Sequence, residues 1–167
     1  QVYDKAIQNL IDRDPDIDID IRGELTPIVD NIMLVQVNNM VYPLDKDYST
    51  LINEIQNDDI TIDEFYGEKG LKNCMNKSGS KYTYKKNILE KHGPIFDKPI
   101  LKNYSGKIKS ILDAIDKTDG IVFVYTTYIH SGIVPLQLAL EQNGYKKHTG
   151  DGILKFPEWS PSAVKHT

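Results

Sequence analysis

The sequence predicts an α/β fold, in which a parallel β-sheet with flanking helices is preceded by a mostly helical and irregular segment. Residues Ile121–Tyr125 form a continuous run of β-forming side chains, bounded by a glycine and a threonine. Continuous rather than alternating apolarity is typical of a central parallel strand that is buried on both faces. Helical patterns stand on either side of this run, which is the arrangement of an α/β unit.

The first predicted element is a short helix over residues 1–13, because its apolar residues recur at helical spacing. It ends before Pro15, since the residue preceding a proline is disfavoured in the helical conformation. Residues 16–20 then alternate aspartate with isoleucine, which fits either an edge strand or a solvated linker. We favour the linker because facing like charges destabilise a sheet.

Two further helices are predicted in the first third of the chain, one from Ile28 to Met40 and one from Tyr48 to Ile55. Much of the remaining sequence up to residue 104 is polar, punctuated by glycine and rich in lysine. We therefore expect an irregular insertion with short helical turns. The predicted units are residues 1–43, 44–104 and 105–167.

The α/β unit begins at Ser105, a good N-cap for a helix whose apolar residues up to Ile115 line one face. Gly120 follows this helix, as glycine commonly does. After the run of β-formers, a second helix is predicted to begin around residues 131–135 and to end at Asn143. A proline in its first turn and a glycine just past its end support these boundaries.

The loop between the predicted strand and the second helix is the candidate site. It carries the hydroxyl side chains of Thr126, Thr127 and Ser131 at the carboxyl end of the strand, where open parallel sheets bind ligands. Backbone N–H groups at a helix N-terminus attract anions, so a phosphate of nucleic acid or of a nucleotide is the favoured guest. The alternative is a simple turn in which Ser131 caps the helix.

Charge is distributed unevenly, although the net charge is only −4. Residues 1–65 hold 15 acidic and four basic side chains, whereas residues 66–109 hold three acidic side chains and 11 lysines. The lysine-rich segment could contact phosphates or could be a solvated insertion. Tyrosines interleaved with its lysines could stack on nucleotide bases; they are Tyr66, Tyr82, Tyr84 and Tyr104.

Several classes of site lack their motifs in this chain. The four histidines are widely spaced, so we expect no metal site, and no GxSxG, GxGxxG or GxxxxGK[ST] pattern supports catalytic residues. Cys74 is the single cysteine and is read as a bystander thiol in a reducing, intracellular compartment. No apolar run of about 18 residues and no signal-peptide pattern occurs, so we expect no membrane contact.

The run YSGKIKSILDAI, followed by GIVFVYTTYIHSGIVPLQLALEQNGYKKH, resembles the start of the second RecA-like domain of superfamily-two helicases. More narrowly, it is similar to the poxvirus-type helicases and nucleoside triphosphatases of large DNA viruses, the group of the early transcription factor small subunit. There, a G-x-V-F-V-Y strand precedes a glycine-containing loop and a helix with L-x-x-A-L-E-x-x-G-[YF]; Gly120–Tyr125, Gly132 and Leu136–Tyr145 match. Gln1–Tyr3 and Gln36–Pro43 resemble family segments more loosely, and together the resemblance covers about half of the chain.

This resemblance implies a fragment that spans the end of the first and the start of the second RecA-like domain of a viral ATP-dependent helicase or DNA-dependent nucleoside triphosphatase acting in early transcription. ATP and magnesium are the implied cofactors of the parent protein, but this segment lacks the motifs that bind and hydrolyse ATP. The implied partners are nucleic acid, with DNA favoured over RNA, and viral RNA polymerase or other virion proteins. The implied location is the virion and the host-cell cytoplasm.

By the same resemblance, the loop after the strand corresponds to the helicase motif four, which lies near the nucleic-acid track. Thr126 and Thr127 are therefore predicted to touch a phosphate, with Ser131 and the helix N-terminus in support. The alternative function is a non-catalytic, helicase-like module that binds nucleic acid or a polymerase subunit. A small nucleotide-binding enzyme would require a glycine fingerprint that this sequence does not contain.

Overall fold

The computed structural model describes residues 28–57 and 59–155 of the 167-residue chain. The helix predicted over residues 1–13, the aspartate-rich residues 16–20 and the family-like residues 1–3 lie outside this part. The described chain is a mixture of helices and strands, so the prediction of a mixed α/β fold is confirmed at that level.

Seven α-helices and three strands occur in residues 28–57 and 59–155, together with a 3-10 turn and a π-helical turn. In chain order they are α1 (Ile28–Asn39), α2 (Tyr48–Gln56), the 3-10 turn (Ile62–Phe65), α3 (Gly67–Cys74), β1 (Met75–Ser78), β2 (Lys81–Tyr84), α4 (Lys86–His92), α5 (Lys98–Leu101), α6 (Gly106–Ile115), the π-helical turn (Ile129–Ile133), α7 (Val134–Gln142) and β3 (Leu154–Lys155).

The small sheet has the strand order β1-β2-β3. Strands β1 and β2 form an antiparallel hairpin in which Met75 faces Tyr84, and Gly79 adopts a positive φ of 57° in its two-residue turn. Strand β3 pairs with β2 in the parallel direction, with Tyr82 opposite Leu154. The carboxylate of Glu141 holds β3 to α7, because its two oxygens accept the backbone N–H groups of residues 153 and 154.

Residues 44–104 contain the short helical turns that were predicted, but they are more regular than the expected irregular insertion. This segment contains α2 to α5, the hairpin and much of the main core. Three of its tyrosines belong to that core: Tyr82, Tyr84 and Tyr104 are at most 9% exposed. Its polar, lysine-rich sequence suggested irregular structure, but its apolar side chains pack together in the core. The domain boundaries at residues 43 and 104 stay predictions.

Within the described residues, Ile121–Tyr125 does not form the buried central strand that was predicted. Ile121–Tyr125, called the extended segment below, forms neither a helix nor a strand, and these residues make no backbone hydrogen bond within the described part of the chain. Ile121 is fully exposed and Phe123 is 87% exposed, whereas Val124 packs against the main core. Apolar side chains are buried only when neighbouring strands cover them, and no described strand lies beside this segment.

The helices that flank this segment match their predictions. Ser105 caps α6: its hydroxyl accepts the N–H of Ile108 at 3.0 Å and donates to the carbonyl oxygen of Asn39, the last residue of α1, at 2.5 Å. One buried side chain therefore caps α6 and ties it to the end of α1. Pro135 lies in the first turn of α7, and Gly144 follows its end with a φ of 93°.

Candidate functional site

A cavity of about 230 Å³ lies at the end of the extended segment, where the chain turns into the π-helical turn. Its walls come from α1, α6, α7 and the chain from Val124 to the π-helical turn. All three hydroxyl residues predicted from the sequence line it. The lining consists of Val35, Asn39, Lys107, Ile108, Ile111, Val124, Tyr125, Thr126, Thr127, Tyr128, Ser131, Gly132 and Leu136.

The loop is shaped by a close contact between Thr126 and Gly132. The side-chain oxygen of Thr126 accepts the backbone N–H of Tyr128 at 3.2 Å, which bends the chain two residues after the extended segment. A Cβ atom placed on Gly132 would lie 2.3 Å from that oxygen, so only glycine permits this approach. Gly132 therefore has a packing role in this loop.

Ser131 is not available to a ligand in the way that was predicted. Its side chain is fully buried, and its hydroxyl donates to the Oε1 atom of Gln36 in α1 at 2.8 Å. It is not an N-cap, because the π-helical turn runs directly into α7 and the residue before that turn is Tyr128. Thr127, by contrast, is exposed. Of the three predicted hydroxyls, Thr127 is the most accessible to solvent.

Lys107 is a cavity residue that was not identified from the sequence. It is the second residue of α6, it is exposed, and its ammonium donates to the Oδ1 atom of Asn39 at 2.7 Å. The predicted order of a helix followed by a strand could have identified it. A helix that runs antiparallel to the following strand begins beside the carboxyl end of that strand. A lysine in the first turn of α6 was therefore placed to meet Thr127 across the site.

A tyrosine anchors the loop from the opposite side. The Tyr42 hydroxyl donates to the carbonyl oxygen of His130 at 2.7 Å, and the Tyr42 side chain is fully buried. Burial raises the pKa of this phenol well above its ordinary value, so it stays a hydrogen-bond donor. The loop between the extended segment and α7 is therefore fixed to the core near Tyr42.

Many of the other lysines of the lysine-rich segment, residues 66–109, form ion pairs on the surface. Lys98 contacts Asp113 at 2.8 Å and also Asp116, and hydrogen bonds to these two carboxylates raise its pKa to about 12. Lys69 pairs with Asp63 and Glu64. This pattern favours the interpretation of a solvated, charge-paired surface over a continuous phosphate-binding face.

Within residues 28–57 and 59–155, no group of three or more histidine, cysteine, aspartate or glutamate side chains is placed to hold a metal ion. In the same part of the chain, no helix combines the length and apolarity needed to cross a bilayer. Cys74 is buried, and its thiol contacts the carbonyl oxygen of Pro43 at 3.0 Å. Burial raises the pKa of this thiol, which disfavours the reactive thiolate.

Comparison with known proteins adds no relative: no family model matches the sequence, and no curated protein or solved structure matches it either.

Proposed function

We propose that this chain is the inter-lobe portion of an ATP-dependent nucleic-acid motor of the superfamily-two type, viral and linked to transcription. In this proposal, residues 105–155 belong to the start of its second RecA-like domain. The loop lined by Thr126 and Thr127 contacts the nucleic-acid backbone. ATP and magnesium bind to other parts of the parent protein.

The extended segment supports the fold part of this proposal. Ile121–Tyr125 carries β-forming side chains without backbone partners among the described residues, and one of its faces is exposed. A parallel strand that is seen without its neighbouring strands has these properties, because nothing then pairs with its backbone or covers its apolar faces. In this proposal, chain outside the described residues supplies those neighbours. The helices α6 and α7 precede and follow this segment along the chain, as helices flank a strand in an α/β unit.

The observation that carries the functional part is that Lys107 and Thr127, one from α6 and one from the loop, are exposed and line the same cavity. An ammonium group and a hydroxyl are both donors to phosphate oxygens, and contacts of this kind dominate protein binding to nucleic-acid backbones. Thr126 supports the site indirectly, because its hydroxyl bends the loop.

Binding of a fluorescently labelled single-stranded dT12 to the 167-residue chain, measured by anisotropy over a salt series, tests the proposal. Lys107→Ala should weaken binding and reduce the slope of log K against log salt by about 0.7, since one phosphate contact is lost. Lys102→Ala is the matched control, because Lys102 is exposed but does not line the cavity. Equal effects of the two variants, or no binding at low salt, would refute the backbone contact.

A second candidate, the non-catalytic module, is favoured by the exposed Ile121 and Phe123, which offer an apolar surface to another protein. The two candidates differ in turnover. A longer form of the protein should hydrolyse ATP with magnesium, and DNA or RNA should stimulate that activity if the motor is correct. Nucleic-acid binding without stimulated hydrolysis would favour the module.

A further inference from the structure

The cavity beside Lys107 has an apolar lining in addition to donors that suit an anion. Much of its lining is apolar and is contributed by the side chains of Val35, Ile108, Ile111, Val124 and Leu136. A phosphate gains nothing from such walls, because an ion loses hydration there without receiving hydrogen bonds in return. The occupant of this space must therefore have an apolar part.

Several polar groups of the cavity are already engaged within the protein. The hydroxyl of Ser131 donates to Gln36, and the oxygen of Thr126 accepts a backbone N–H. The Lys107 ammonium has three N–H donors, and one of them donates to Asn39. The donors that remain for a charged guest include the exposed side chains of Lys107 and Thr127, whereas the apolar lining suits a ring.

The volume agrees with a ring-shaped guest. An apolar cavity of about 150 Å³ is known to admit benzene, and this one measures about 230 Å³. Two tyrosines, Tyr125 and Tyr128, also line it and offer aromatic faces or edges to a heterocycle. A planar base that carries a phosphate combines the two chemistries that the cavity offers.

We propose that the cavity holds the base of one nucleotide of a single strand, while the phosphate of that nucleotide lies against Lys107 and Thr127. This inference rests on the proposed function and adds to it a pocket for a base. A duplex is excluded as the direct guest, because a paired and stacked base cannot enter a cavity unless it leaves the stack. The site therefore selects unpaired nucleotides.

The test compares two short oligomers with the same number of phosphates, dT6 and a hexamer of abasic units. Anisotropy of the labelled oligomers with the 167-residue chain should show dT6 binding about tenfold more tightly, since burying or stacking a base strengthens binding by about that factor. Val35→Trp should fill the cavity and remove this preference while it leaves binding of the abasic hexamer unchanged.

Ile32→Trp is the matched control, because Ile32 lies on the same helix and is 43% exposed, compared with 40% for Val35, but does not line the cavity. It should keep the preference for dT6. If Val35→Trp loses its cooperative melting, Val35→Phe repeats the test with a smaller ring.

The outcomes separate the two proposals. Equal binding of dT6 and the abasic hexamer would overturn the base pocket but leave the backbone contact standing, whereas no binding of either oligomer would overturn both. A preference for dT6 that survives Val35→Trp would place the base elsewhere and overturn the pocket. Competition with thymidine monophosphate distinguishes a strand from a free nucleotide. If thymidine monophosphate displaces labelled dT6 as effectively as unlabelled dT6 does, the assignment to a strand is overturned.

Discussion

The hydroxyl of Tyr42 and the carbonyl oxygen of His130, 88 residues apart in sequence, form a 2.7 Å hydrogen bond at the edge of the candidate site. Tyr42 also donates its backbone N–H to the carbonyl oxygen of Phe65 at 2.7 Å. A single buried residue thus links the 3-10 turn, the main core and the loop that lines the cavity. The position of that loop depends on the packing around Tyr42.

Tyr42→Phe should therefore destabilise the protein without changing its core volume much. Loss of a buried hydrogen bond whose acceptor remains costs about 1–3 kcal/mol of the free energy of unfolding. Urea denaturation followed by circular dichroism measures this loss. Tyr48→Phe, at an exposed tyrosine, is the control and should change the midpoint little. Equal midpoints for wild type and Tyr42→Phe would show that the bond to His130 contributes nothing.

Ser105→Ala should remove two functions of one hydroxyl. The first turn of α6 loses its cap, and the carbonyl oxygen at the end of α1 loses its donor. We expect a decrease of about 1–2 kcal/mol in the free energy of unfolding. Ser110→Ala is the comparison on the same helix, because its exposed hydroxyl only returns to the carbonyl oxygen of Gly106. The prediction fails if the two serine variants are equally stable.

Stability should fall at acidic pH through the cap of α2. The Asp47 carboxylate accepts hydrogen bonds from the backbone of Thr50 and from Ser49, which lower its pKa to about 2. A carboxyl group with an unfolded pKa of about 4 then stabilises the folded state above that pH. This contribution is lost as the pH falls from about 4 towards 2, because protonation then favours the unfolded chain.

Asp47→Asn isolates this effect, since asparagine caps a helix comparably but does not titrate. The melting temperature of the wild type should drop more steeply than that of Asp47→Asn between about pH 5 and about pH 2. A carboxyl titration by NMR should report the low pKa of Asp47 directly. Parallel pH profiles of the two proteins would contradict the assignment.

The exposed extended segment should make the isolated chain self-associate at high concentration. An unpaired, uncharged edge is a template for strand pairing, and no aspartate, glutamate, lysine or arginine occurs between Gly120 and Leu140. Phe123→Lys places a charge on the exposed face, so it should reduce the weight-average mass in sedimentation runs at increasing concentration. Tyr48→Lys is the control at a distant exposed aromatic residue. Association that is unaffected by Phe123→Lys would rule out this edge.

The elements that could be predicted are those whose signals are local. The cap at Ser105, the helix boundaries around Pro135 and Gly144, and α2 depend on residues within one or two turns, and the structure confirms them. The exposure of most of Ile121–Tyr125 could not be predicted in the same way. Whether a segment is buried depends on the elements that pack beside it. An apolar sequence indicates only that burial would be favourable if such elements were present.

The candidate site follows the same rule. Thr126, Thr127 and Ser131 are adjacent in sequence, so their clustering at one cavity could be foreseen, whereas the buried hydrogen bond from Ser131 to Gln36 could not. Lys107 was one of 11 lysines in the lysine-rich segment, and its place at the cavity depends on how α6 packs. The hairpin tyrosines were misread for a related reason, since aromatic side chains among lysines fit both a stacking surface and a core.

Because the backbone of Ile121–Tyr125 has no hydrogen-bond partner among residues 28–57 and 59–155, this segment can report strand pairing. Amide hydrogens without a hydrogen-bonded acceptor exchange with solvent deuterium almost as fast as those of an unfolded peptide, whereas those of β2 and α6 should be protected. Strands that joined this segment would slow the exchange of its amides and leave the helix amides nearly unchanged. Deuterium uptake at these five consecutive residues would then report the pairing of this segment with another strand.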